Sequence, residues 1–336
     1  MDLINLIKQE DLMSFAENYN YKRSGFMGQA LFAPEKTRNL KVRMRQLVEG
    51  GDLPVMAQVH ALDSEARIGE RPQYKEIAVE KLLIKEKLDQ GERVAYFLDS
   101  LGGKEADVID FIYDDAANLL SRVITRTEVA NMELLSTGKL EIRENNASID
   151  VDFGYKAAQQ NKSYSGWNTA SHDIIGDLQA VQAAARAKGW KVVRAITSST
   201  IIAYMLKNTA INAYFEKRGE PITESGLKNY LETFFGIEFI VNDDVYKLDA
   251  NSATTKRFFK DGIITFLGTR GSLGAGLFGV TPEELKLRKA DVVGKNLCSL
   301  TMWEEEDPCT TWTKASGIYL PVPKDISKMF IATISA

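Results

Sequence analysis

Residues 39–45 alternate strictly, with Leu40, Val42 and Met44 on one side and Lys41, Arg43 and Arg45 on the other. A period of two predicts a strand with one apolar and one cationic face. That cationic row reads either as a solvated face or as a surface offered to an acidic neighbour or to packaged nucleic acid. Gly50 and Gly51 break the strand. Residues 54–61 and 74–83 then read as the two arms of a hairpin. The polar connection between them, 62–73, far exceeds the roughly 2 to 5 residues of an ordinary hairpin loop, so it is either disordered or has a job. The second arm carries Glu76, Glu80, Lys81, Lys85, Glu86 and Lys87, charges that guard an exposed edge against indiscriminate pairing.

From 104 to 136 the period changes. Val108, Ile112, Ala116, Leu119, Val123, Thr127, Ala130 and Leu134 recur at spacings of three and four and predict one long helix, on the order of 50 Å at about 1.5 Å per residue. Gly102 and Gly103 precede it, Glu105 and Asp107 suit its positive end, and Gly138 is its stop. A hairpin is expected over 138–154. A polar stretch over 156–167 reads as a linker. Beyond it the pattern alternates: helix 173–188, strand 191–196, helices to 207 and 217, helix 223–234, strands 237–241 and 262–267. The N-terminal 20 residues read as a short amphipathic helix or flexible arm, and 318–333 as a terminal strand returning to the first domain. Long arms and an overlong helix are costly in an isolated globule; they fit a chain that completes its packing against copies of itself.

At 336 residues, two domains with substantial cores are expected. A net charge of −4 argues against a dedicated nucleic-acid binder. No run approaches the roughly 18 apolar residues of a membrane span, and the start lacks the look of a secretory signal, which points to the cytoplasm. Cys298 and Cys309 are expected to be reduced thiols. The only histidines, His60 and His172, have no second ligand at metal spacing and read as surface or capping residues. No catalytic, cofactor or metal site is expected. The run 268–276 lacks the Gly-Lys-Ser/Thr ending of a phosphate-binding loop. The acids Glu304, Glu305, Glu306 and Asp307 read as a solvated turn, and Ser198, Ser199 and Thr200 as a helix cap.

The ordered set of basic-faced strand, glycine break and hairpin, with Arg67-Ile68-Gly69, Pro72 and Tyr74, resembles the lambda-type (protein E) major capsid proteins of tailed bacteriophages. Arg126-Thr127-Glu128, Leu135-Ser136-Thr137-Gly138, Lys139-Leu140-Glu141-Ile142, Asp152-Phe153-Gly154, Trp167 and the segment 173–178 extend that resemblance over essentially the whole chain. It implies an α+β chain of the Hong Kong 97-type capsid fold. The layout implied is an N-terminal arm and first strand (1–49), an extended loop (50–89), a peripheral domain (90–167 and 314–336) with spine helix 104–136, and an axial domain (168–313).

The function implied is a major head protein whose hexamers and pentamers form an icosahedral shell around double-stranded DNA. A cellular nanocompartment shell of the same fold is the alternative, and a cytosolic α/β enzyme a weaker one. Arg67, Glu70, Arg71 and Tyr74 are expected at contacts between subunits, and Lys41, Arg43 and Arg45 at DNA or another subunit. Only about fifty residues precede the loop, so a separate scaffolding protein is expected, with a portal and a decoration protein as further partners. No lysine occurs between Val59 and Gln73, so subunits are expected to run as monomers on denaturing gels rather than as a cross-linked ladder.

Overall fold

The computed structural model describes residues 7–23, 26–47, 55–60, 62, 64–68, 71, 74–91, 105–145, 147–287, 296–307 and 309–335. Its strands are β1 (Phe32–Lys36), β2 (Lys41–Leu47), β3 (Tyr74–Glu80), β4 (Leu82–Gln90), β5 (Lys139–Glu144), β6 (Ala147–Asp152), β7 (Asn161–Ser165) and β8 (Arg194–Thr197), followed by β9 (Glu238–Val241), β10 (Val245–Lys247), β11 (Thr255–Arg257), β12 (Ile263–Leu267), β13 (Gly274–Phe278), β14 (Cys298–Glu305), β15 (Thr310–Pro323) and β16 (Met329–Ser335). Contacts divide the chain into two units. The first holds Met1–Val42, Val79–Asn131 and Ser272–Lys324; the second holds Arg43–Ala78, Met132–Gly271 and Asp325–Ala336.

In the first unit a sheet runs β1-β13-β15-β14, with β4 also paired to β15; β1 lies parallel to β13 and the other pairs are antiparallel. The long helix, Glu105–Thr137, contributes its part up to Asn131 to this unit, where Val123 and Asn131 lie against β15. Every position of the expected apolar stripe, Val108 through Leu134, is buried. A side chain at Gly317 on β15 would meet Val123 Cγ1 at 2.9 Å, so glycine there lets helix and sheet approach. Buried polar groups close the same interface. Tyr319 donates its hydroxyl to Asn131 Oδ1 (2.6 Å), Asn131 Nδ2 donates to Glu128 Oε2 (3.3 Å), and Glu128 Oε1 accepts the Gly28 N–H (2.7 Å).

The N-terminal segment is a helix, Gln9–Asn18, that buries Leu12, Met13 and Ala16. Its Gln9 amide behaves like one residue of an extra strand, accepting from the Met302 N–H (3.3 Å) and donating to the Leu300 carbonyl (2.5 Å) of β14. This satisfies backbone groups that an edge strand would leave open.

In the second unit a sheet runs β7-β16-β12-β8-β9. Helices Ile174–Ala187, Ser199–Lys207, Thr209–Arg218 and Glu224–Phe235 share its core, in which Trp167, Ile264, Phe266 and Phe330 are buried. Asp173 and Thr223 cap two of these helices, accepting from the Gly176 and Gly226 N–H groups. The β5–β6 hairpin is present, turning through Asn145 at φ 47°.

Several expectations need correction. The segment 74–83 is not one arm paired with 54–61. β3 pairs with β2, the strand path breaks at Lys81, and β4 joins β15, while residues 55–60 form no strand. Period two identifies a strand but not its partner. The terminal run 318–333 is two strands in different sheets, separated by the turn Ile326–Lys328 that Asp325 caps. The unit boundaries also differ from the implied layout. Residues 272–313 sit with the long helix because β13 and β14 bond to β15, and β16 lies in the other sheet between β7 and β12.

Ser198 does not cap its helix; its hydroxyl donates to Asp261 Oδ1 at 2.5 Å. Gly50, Gly51, Gly102 and Gly103 lie outside the described residues.

Candidate assembly surfaces

The ribbon of β2 and β3 carries residues 55–71 between its strands. Val42, Met44, Ile77 and Val79 are half-buried, while Lys41 and Arg43 are exposed, so the expected alternation holds over those β2 positions. Arg43 meets Glu76 of the neighbouring strand at 3.7 Å, but with side chains 80% and 53% exposed this pair adds little stability.

Within the connection, Val55, Met56, Val59, Leu62 and Ile68 are between 86% (Met56) and 99% (Val59) exposed. Scattered single apolar residues on a surface need no explanation, but five between Val55 and Ile68 exceed such scatter. Burying each would contribute roughly 1.5–3 kcal/mol.

Arg67 and Arg71 are exposed in the same stretch. The Arg67 N–H donates to His60 Nε2 (3.2 Å), which leaves His60 Nδ1 as the donor to the Gln58 carbonyl (3.0 Å). His60 therefore ties the two limbs of the connection together, a role that spacing along the sequence did not signal. Glu70 lies outside the described residues, as do the side chains of Arg45 and Tyr74.

Elsewhere in the second unit Phe234 at the end of helix Glu224–Phe235, Val245 of β10, and Leu248 just beyond it are exposed apolar groups. Phe234 belongs to an aromatic group with Tyr214 and Tyr230, at centroid distances of 5.3 and 4.7 Å. Sequence reasoning missed these residues because Phe234 fits an ordinary amphipathic helix.

The base of the β10–β11 ribbon is held by charge. Arg257 donates to Asp243 (2.7 Å), and Asp243 accepts the Ser199 N–H (3.1 Å). Asp261 accepts from Ser198, the Gly262 N–H (3.0 Å) and Thr200 (3.2 Å). Burial alone would raise Asp261, but these donors and nearby Arg257 hold it below the usual carboxylate range. Asp243 is lowered likewise: its burial is outweighed by Ser199 and Arg257.

The remaining chemical candidates resolve into packing. In the run 268–276, a Cβ at Gly274 would stand 2.0 Å from the Val322 carbonyl, and one at Gly276 would stand 2.9 Å from that of Phe32. Those glycines let β13 thread between β1 and β15. Cys298 is buried, with its thiol pushed up to about 12 by desolvation, and Cys309 is exposed; both are free. His172 is neither a cap nor an isolated surface group. Its Nε2 lies 2.8 Å from Asp177 Oδ2, which also accepts the Trp167 indole N–H (2.7 Å). Glu304, Glu305, Glu306 and Asp307 are exposed at the β14–β15 turn, and Glu305 accepts the Trp312 indole N–H (2.9 Å).

Comparison with known proteins places this architecture. The fold matches that of a candidate capsid protein from a prophage of E. coli CFT073, with TM-score 0.65 and 16% identity over 98% of this chain and 99% of that one. A phage-related protein from Bordetella bronchiseptica RB50 gives TM-score 0.52 and 11% identity over 96% and 95%. The capsid of Myoviridae phage XM1 gives TM-score 0.52 and 13% identity over 95% of each chain. No curated protein matches the chain in sequence. The fold is the Hong Kong 97-type capsid fold. The family described as phage major capsid protein E matches residues 10–334. With nearly the whole chain matched and its architecture shared with phage capsid subunits, the chain belongs to the phage major capsid protein E family.

Proposed function

We propose that copies of this chain form hexamers and pentamers that close an icosahedral shell around double-stranded DNA, with the connection 55–71 lying on an adjacent copy. The observation that carries this reading is the five apolar side chains standing almost wholly in solvent between β2 and β3. A shell distributes its cohesion over many modest contacts, and an arm adds contact area that a compact subunit lacks; a stable interface buries about 800 Å² per partner. Arg67 and Arg71, with Glu70, supply charge-assisted contacts to that neighbour. In this reading Phe234, Val245 and Leu248, within the proposed axial domain 168–313, meet other copies around the capsomer centre.

The subunit acts as a structural protein rather than a catalyst. Its partners are a separate scaffolding protein, a portal and a decoration protein, and it assembles in the cytoplasm of the bacterial host. Lys41, Arg43 and Arg45 contact DNA or a neighbouring copy. The family match favours a phage shell over a cellular compartment. Deleting residues 62–72 tests the arm: particle yield by electron microscopy is expected to collapse while the subunit stays folded. Unchanged assembly would refute the arm's role.

A further inference from the structure

Lys81 stands between β3 and β4, where the chain leaves the ribbon and enters the sheet in which β4 pairs with β15. Its side chain is directed inward, and the residue is 3% exposed. The ammonium donates to the Phe278 carbonyl (3.1 Å), to the Thr37 hydroxyl and to the Thr37 carbonyl (3.5 Å). The Lys81 N–H donates to the Leu40 carbonyl (3.0 Å), and the Thr37 N–H donates to Phe278 O (2.8 Å). Thr37 and Leu40 lie just before β2 and Lys81 just after β3, so one residue ties the entry of the ribbon to its exit and both to the end of β13.

Gly279 leaves room for this arrangement. A Cβ there would meet Ile318 Cγ2 at 2.6 Å and Lys81 Cδ at 3.4 Å. The charged groups that face Lys81 are Lys36 and Glu35, both on β1; Lys36 is itself neutralised by Glu284 at 2.8 Å. The three acceptors of the ammonium are two carbonyls and a hydroxyl, all uncharged. Burial, with Lys36 adding to it, depresses the amine to about 8. A leucine or methionine would fill this space without the desolvation penalty of an ammonium, so lysine here acts through its directed hydrogen bonds rather than through general stability.

We propose that Lys81 is the positioning residue of the ribbon's root, pinning Thr37, Leu40 and the end of β13 together where the chain enters and leaves the ribbon. The proposal deepens the reading of the arm as an assembly element and rests on it.

The test compares the full-length wild type with Lys81→Met, which keeps the stem, with Thr37→Val, which removes one acceptor at constant shape, and with the double variant. Amide exchange is read on the free subunit and particle yield on the assembled sample. Losing a charge-assisted hydrogen bond should speed exchange at 40–44 and 76–82 by about tenfold in Lys81→Met. The effect should be smaller in Thr37→Val, and the double variant should be no worse than Lys81→Met. Amides of β8 and β12 should be unchanged, and particle yield should fall while soluble subunit persists. Exchange at the ribbon root unchanged in both single variants would overturn the proposal. So would acceleration spread evenly through β13 and β15, which would make Lys81 an ordinary core residue. If Lys81→Met does not fold, Thr37→Val decides by the same exchange criterion. Failure of the wild type to form any particle or capsomer would sink the assembly reading instead, and would leave the exchange comparison intact.

Discussion

At the scale of single residues, the glycine-rich run shows how chemistry and packing can share a signature. Gly274→Ala would force a methyl against the Val322 carbonyl, whereas the position of Gly271 is open, with Thr269 Oγ1 the nearest atom at 3.8 Å from where a Cβ would stand. Urea unfolding should show Gly274→Ala destabilised by about 1–3 kcal/mol, as for other overpacked sites, and Gly271→Ala close to wild type. Equal effects would mean that the strand sandwich is not what requires glycine. Asp243 and Asp261 give a signed expectation. Both titrate below their unfolded values, so their stabilisation is fully present above about pH 4 and is lost as pH falls through the folded values. Exchange at the β10–β11 base should therefore quicken on acidification, and Asp261→Asn should remove much of that pH dependence. A variant retaining the wild-type profile would exclude Asp261 as a contributor. Neither the Ser198–Asp261 bond nor the His60 tie was legible in the sequence, because each joins groups brought together only by the folded chain.

At the scale of elements, legibility followed locality. The stripe from Val108 to Leu134 is a repeat within one helix, and it emerged buried at every position. The β5–β6 hairpin depends on neighbours a few residues away, and it too was readable. The partner of β3, the split between β15 and β16, and the unit membership of β13 and β14 depend on pairings across tens or hundreds of residues, to which a period of two is blind. The long helix offers a direct check. Ile112→Ala should cost about 2–5 kcal/mol in the unfolding free energy, while Asp110→Ala on the exposed side should stay within about 0.5 kcal/mol. Comparable losses at both positions would contradict a single buried face.

At the scale of the whole molecule, the resemblance identified the fold and the family from ordered motifs. Arg67 and Arg71 stand out in the sequence by charge, whereas the structure adds the exposed Val55, Met56, Val59, Leu62 and Ile68, whose exposure no periodicity could reveal. Replacing these five by serine should leave the folded subunit near wild-type stability, because each stands almost wholly in solvent, and should raise the concentration needed for assembly. Loss of subunit stability in that variant would show that the connection packs on its own chain. The most direct measurement is electron microscopy of the purified wild-type chain, paired with sedimentation velocity across a concentration series. Capsomer rings or closed particles in which residues 55–71 lie over an adjacent copy are expected. A monodisperse monomer at every concentration, with that segment protected from protease, would contradict the shell reading.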